Sequence, residues 1–98
     1  MKIEFPDDDL ERLLHDPQFS GRFPREVVKA FRKRMQFISA AFDERDFYAM
    51  KSLHYEKLKG DRKGQNSMRL NAQYRLILCT KVKGGTHTIV VVSIEDYH

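Results

Sequence analysis

The sequence predicts an α+β fold, with N-terminal helices packed on one face of a small, mainly antiparallel β-sheet. Apolar residues recur at three- and four-residue spacing from Pro24 onward, the mark of an amphipathic helix. After Leu53 the character changes, and glycines at 60, 64, 84 and 85 punctuate short segments of strand composition. A length of 98 residues implies one domain, residues 1–98, with one modest core that needs neither disulfide nor metal to fold.

"MKIEF" alternates Met1, Ile3 and Phe5 against Lys2 and Glu4, which predicts a short strand with one buried face that Pro6 ends. "DDDLERLLHD" then offers an acidic helix start, with Leu10, Leu13 and Leu14 along one side before Pro17. "QFSGRFP" reads as a turn centred on Ser20 and Gly21. Pro24 suits a first helical residue, because its missing N–H would have no partner there. From it Val27, Val28, Phe31, Met35, Ile38 and Phe42 mark the buried stripe of a helix that runs to about residue 41 or 42. Arg32, Lys33 and Arg34 in mid-helix read as a solvated face. "DERDFYAMKSL" predicts a short extra turn with Phe47 and Met50 as core plugs. Strands are expected near 53–58, 67–71, 74–81 and 87–96, with "KVKGGTH" as a hairpin loop in which Gly84 and Gly85 adopt positive φ. The β-branched run "TIVVVSI" predicts a central strand covered on both faces.

Composition narrows the setting. Hydrophobic residues make up 41% and charged residues 33%, as in a soluble domain with a charged exterior. The single Cys79 excludes an internal disulfide and a Cys-rich zinc site. The acidic start lacks an apolar signal core, and no stretch approaches a membrane span. Cytoplasmic location without membrane association is the resulting expectation. The net charge of +4 hides an asymmetry: residues 1–50 carry nine basic and ten acidic side chains, residues 51–98 nine and four. A surplus concentrated between Lys51 and Lys83 points to a polyanion such as nucleic acid, or simply to a solubilising face.

Period two sorts the strand side chains. Met68 and Leu70 share one side, leaving Ser67, Arg69 and Asn71 on the other. Arg75 falls opposite Tyr74, Leu76 and Leu78. If helices cover the Met68/Leu70/Leu76 side, Arg69 and Arg75 project from the open side. His54, Glu56 and Leu58 are expected on one side of their strand, with Lys57 and Lys59 at neighbouring positions. A concave basic surface with lysines at its rim and the tail groups of "SIEDYH" nearby suits phosphate binding. RNA carries its own nucleophile, the 2′-hydroxyl. Cleavage then needs a base, cations for the crowded phosphorane, and an acid for the departing oxygen. His98 or His54 could fill either proton-transfer role. Histidine spacing matches no zinc motif, and neither a phosphate-binding glycine loop nor a G-x-S-x-G elbow occurs, so no metal or cofactor is expected.

"KLKGDRKGQNSMRLNAQYRLIL", followed by "EDYH", resembles the HigB branch of the RelE superfamily, toxins of bacterial toxin–antitoxin pairs also called plasmid-maintenance killer proteins. The similarity runs from about residue 51 to the end and extends to "AFRKRMQFISAAFDERD". The combination of L-K-G-x-R, S-x-R-x-N-x-x-x-R and D-Y-H is specific, whereas each piece alone is weak. The resemblance implies a RelE-like fold and a metal-independent endoribonuclease that cuts messenger RNA in the A site of the 70S ribosome. It also implies a HigA-like helix-turn-helix antitoxin, with operator DNA bound only through the toxin–antitoxin complex. Carried over, the phosphate-contacting lysine falls on Lys59 and the arginine after the aromatic residue on Arg75. The acid, phenol and histidine of the tail fall on Asp96, Tyr97 and His98, and Arg69 matches the basic position of S-x-R-x-N. On this reading Arg75, Lys59 and Arg69 hold the phosphate, His98 transfers protons, Tyr97 stacks on or orients the RNA, and Asp96 orients His98 or Arg75. Lys57, Arg62 and Lys63 extend the RNA- or ribosome-facing surface. Many relatives carry a histidine three residues before the lysine, where this chain has Glu56, with His54 two residues earlier. The base is therefore open between Glu56 and His54, or the protein is a weaker catalyst. The alternative function is a non-catalytic module that binds RNA, ribosome or antitoxin through the same face.

Overall fold

A computed structural model describes residues 1–97 of the chain. The elements are β1 (Lys2–Glu4), α1 (Asp8–His15), α2 (Arg25–Ala40), α3 (Glu44–Ala49), β2 (Glu56–Lys57), β3 (Asn66–Arg69), β4 (Tyr74–Lys83) and β5 (Thr86–Asp96). Two 3₁₀ turns, Lys51–Leu53 and Gly60–Arg62, flank β2. The sheet order is β1-β5-β4-β3-β2, antiparallel except for the parallel β1–β5 pair.

Local chemistry explains the helices. Asp7 caps α1 by accepting from the Asp9 amide at 2.9 Å, and Asp8, Asp9 and Glu11 complement the positive end of its dipole. The helix expected from Pro24 begins one residue later, with the Pro24 carbonyl accepting from Val27 and Val28. Its apolar stripe, Val27, Val28, Phe31, Met35 and Ile38, is buried. With Leu10, Leu13, Phe47 and Leu53 it packs on Met68, Leu76, Leu78, Ile89, Val91 and Ile94 of the sheet. Each such aliphatic or aromatic side chain contributes about 1.5–3 kcal/mol on burial.

Several expectations are corrected. Phe42 is 90% exposed, because α2 stops at Ala40 and the backbone turns extended at Ala41 before the stripe returns. Met50 also lies exposed, while Phe47 alone plugs the core from α3. Arg32 and Arg34 are not merely solvated: Arg32 binds the carbonyls of Leu13, Asp16 and Phe19, and Arg34 that of Arg69. The strand expected over 53–58 shrinks to two residues. Leu53 ends a 3₁₀ turn and His54 adopts a left-handed conformation at φ 49°, so His54 cannot share a strand face with Glu56. β5 is an interior strand flanked by β1 and β4, although β4 holds the middle of the sheet. Its residues Thr88, Ile89, Val90 and Val91 are buried on both faces, as its composition predicts.

A bulge sets the phase of the chain's end. Leu78 pairs with Val91 but Ile77 with Ser93, leaving Val92 as the extra residue. Val91 and Ile94 therefore both face the helices, and Ser93 and Glu95 point with Ile77 and Arg75 to the open face. Uninterrupted alternation from Val91 would have reversed these assignments.

Candidate RNA-binding site

The open face is laid out by register. Glu56, Ser67, Ile77 and Ser93 form one cross-strand row, and Arg69, Arg75 and Glu95 form the next. Arg69 and Arg75 thus lie side by side on the face away from the helices, as alternation predicts. Just past the end of β5 comes Tyr97, whose amide donates to the Gln73 carbonyl at 2.6 Å. The Arg75 guanidinium carbon sits 5.6 Å from the Tyr97 ring centroid, within cation–π range. Its Nη1 is buried and has no hydrogen-bond acceptor among the described residues.

Arg69 is held at both ends. Its Nε donates to the Asn71 carbonyl at 3.2 Å, and its Nη1 lies 3.4 Å from His54 Nε2. Because guanidinium only donates, that contact uses an Nε2 lone pair. His54 reaches the arginine pair through its left-handed turn and not through a strand. Glu56 is exposed at the sheet edge beside Ser67. Behind it, Tyr55 donates to Glu44 at 2.9 Å, and Asn66 donates to both Tyr55 and Glu44. Burial pushes the Tyr55 phenol well above its ordinary range, so it remains a donor. This buried network ties α3 to β3 and fixes the segment that carries His54 and Glu56.

Lys57, Lys59 and Lys63 are exposed around the β2–β3 connection. Arg62 is committed elsewhere. It makes a bidentate ion pair with Glu95, across 33 residues of sequence, and its Nε donates to Gln65 at 3.0 Å. Ser93 Oγ donates to the same carboxylate at 2.8 Å. Arg62, and secondarily Ser93, hold the Glu95 carboxyl below its ordinary value, and Glu95 in turn raises Arg62. Asp96 pairs in register with Tyr74, opposite in alternation to Arg75, and accepts from Gln73 Nε2 at 3.1 Å. His98 lies outside the described residues.

The structure thus brings together Arg69, Arg75, His54 and Tyr97, and sets Arg62 against Glu95. Ser67, Ser93 and Glu95 were missed as site residues. Ser67 and Glu95 each stand two residues from a selected one, Arg69 and Tyr97, so strand alternation was the signal available for them. Ser93 required knowledge of the bulge. Chemically, two adjacent guanidinium groups, one with a buried free donor, beside an aromatic ring are groups of the kind that recognise a phosphodiester and a base.

Comparison with known proteins bears on the family and the fold. The family model for the RelE-like toxin of the type II toxin–antitoxin system HigB matches residues 3–98. Toxin HigB-1 of Vibrio cholerae is 34% identical over 77 residues, 79% of this chain and 81% of that protein. Among solved structures, the YoeB/ParE toxin from Agrobacterium tumefaciens aligns over 100% of both chains with a TM-score of 0.58 at 18% identity. The YoeB–YefM complex from Staphylococcus aureus aligns over 100% of this chain and 97% of that one, with a TM-score of 0.59 at 22% identity. These two structures share the fold. With a family model spanning nearly every residue and the curated relative beside it, the chain belongs to the HigB-like family of RelE-like type II toxins.

Proposed function

We propose that this toxin is a ribosome-dependent, metal-independent endoribonuclease that cuts messenger RNA in the ribosomal A site and so inhibits translation in the cytoplasm. The observation that carries the reading is Arg75 on the open face, beside Arg69 and stacked near Tyr97, with a buried donor awaiting an acceptor. The RNA 2′-hydroxyl attacks the scissile phosphorus and the 5′-oxygen departs. Arg75, Arg69 and Lys59 stabilise the charge that develops on the phosphorane. Tyr97 stacks on a base, and His98, oriented by Asp96, transfers a proton. The second proton-transfer group is Glu56 or His54. His54 has the advantage of touching Arg69, which brings it to the phosphate-binding pair. Lys57 and Lys63 meet the ribosome or the RNA backbone. A HigA-like helix-turn-helix antitoxin blocks the same face, and operator DNA is met only through that complex. A toxin of the same fold is known in complex with YefM, which supports a protein partner of this kind.

The test is single-turnover cleavage on a programmed ribosome. Deleting His98 is expected to lower the rate by roughly two to four orders of magnitude, the usual share of a general acid or base. Arg75→Ala should lose about 10²–10³, as removal of an oxyanion-stabilising donor does. A substrate with an activated leaving group should rescue the deletion more than Arg75→Ala. Unchanged cleavage in the deletion refutes the catalytic reading of the tail and leaves the non-catalytic binding module.

A further inference from the structure

The Arg62–Glu95 pair lies on the open face. Glu95 is level with Arg75 on β5, whereas Arg62 belongs to the connection between β2 and β3, at the other side of the sheet. To meet, the Arg62 side chain must cross β3 and β4, two strand spacings of about 4.8 Å each. On the same face lie Ser67 and Ile77, both 0% exposed although the helices occupy the opposite face. The Arg62–Glu95 pair spans this same face, from the β2–β3 connection to β5.

Two buried polar atoms of residues on this face have no partner among the described residues: Ser67 Oγ and Arg75 Nη1. Buried polar atoms are rarely left so, and an orphan points to a missing ligand. Arg75 can only donate, and a serine hydroxyl can donate too, so one acceptor-rich group would satisfy both. The fork of Arg62 is meanwhile filled by a carboxylate, in the bidentate manner in which arginine also takes phosphate.

We propose that the Glu95 carboxylate is a removable stand-in for an RNA phosphate: it holds Arg62 across the open face in the free protein and yields it to a phosphodiester when RNA binds. The inference rests on the RNA-directed reading of this face, but not on cleavage. The pair is suited to exchange. Both side chains remain about one-third exposed, 36% and 31%, so a ligand from solvent can reach the pair. Ser93 Oγ continues to serve Glu95 after Arg62 leaves. Once Arg62 moves to phosphate, Ser67 and the free donor of Arg75 take the remaining phosphate oxygens. Glu95 thereby acts as a positioning residue and a competitor, setting how tightly the toxin holds RNA before the ribosome aligns it.

Binding of a fluorescein-labelled 2′-O-methyl hexaribonucleotide, which cannot be cleaved, tests this by fluorescence polarisation at fixed salt. Glu95→Gln should bind about tenfold more tightly than the unmodified protein, because the Arg62 fork is released for the phosphate and, as a smaller part, one negative charge beside it is lost. In an Arg62→Ala background the same change should gain about threefold or less, since there is no fork left to free. An equal gain in both backgrounds, or no gain from Glu95→Gln, overturns the proposal. Should Glu95→Gln fail to fold, the Arg62 Nε–H resonance of the unmodified, ¹⁵N-labelled protein decides: it should move on RNA addition, and a stationary resonance refutes exchange. Absence of RNA binding in every variant also refutes it. Normal exchange without ribosomal cleavage would sink only the endoribonuclease reading, and normal cleavage without exchange only this inference.

Discussion

Replacing Arg32 with alanine should unfold this protein at a much lower temperature, although it touches neither the sheet nor the proposed site. Its Nε donates to the Leu13 carbonyl at 2.9 Å, and its Nη2 to those of Asp16 and Phe19 at 2.9 and 3.2 Å. Leu13 lies in the last turn of α1, where carbonyls lack helical partners and carry partial negative charge. One guanidinium therefore closes α1 and the following turn onto α2. Hydrogen bonds from a charged donor contribute about 1.5–3 kcal/mol each. These three share a donor that is half-buried, and water can replace part of the loss, so about 3 kcal/mol in total is a reasonable sum. For a chain of this size each kcal/mol moves Tm by about 4–8 °C, which predicts a drop of roughly 12–24 °C. Arg32→Lys should lose most of the same amount, because one ammonium cannot span three carbonyls. Lys33→Ala, an exposed neighbour on the same helix, should stay within about 0.5 kcal/mol. Thermal and urea unfolding followed by circular dichroism measure all three. A loss in Arg32→Ala below about 1 kcal/mol, or equal to that of Lys33→Ala, would refute the reasoning.

Phe31→Ala should cost about 3–5 kcal/mol by urea unfolding, since Phe31 is fully buried in the core. Phe42→Ser, one turn past the end of the buried stripe, should change stability by less than about 0.5 kcal/mol. Comparing acid unfolding of the unmodified protein with Glu95→Gln checks the ion pair. The folded-state carboxyl is depressed below its ordinary 4.5, so its stabilisation is present above that value and disappears as pH falls through the lower, folded value. The stability gap between the two proteins should accordingly be widest near neutrality and close below pH 4.5; a pH-independent gap would contradict it. Finally, RNA affinity should fall steeply with salt, each phosphate contact contributing about −0.7 to the slope of log K against log salt. Binding that is flat between low and physiological salt would show that the lysines and arginines of the second half only solubilise the protein.

Local periodicity by itself determined the buried stripe of α2, the order of helices and strands, and the common face of Arg69 and Arg75. A helix and a strand repeat over a few residues, and each buries one side whatever its neighbours are. The combination of L-K-G-x-R, S-x-R-x-N and D-Y-H likewise carried the family. Where the chain stops following its own pattern, sequence misled: Phe42 continues the spacing of α2, but the helix has already ended, and His54 sits among strand formers yet turns left-handed. Which side the tail presents depended on one extra residue, Val92, whose bulge turns Ser93 and Glu95 to the arginine face. Parallel pairing of β1 with β5, the capture of three carbonyls by Arg32 and the reach of Arg62 to Glu95 were equally beyond local reading. Each joins segments tens of residues apart or is set by inter-strand register. Such contacts depend on distances that exist only once the helices have packed on the sheet, so tertiary structure alone decided which cations stay available on the open face and which one begins already paired.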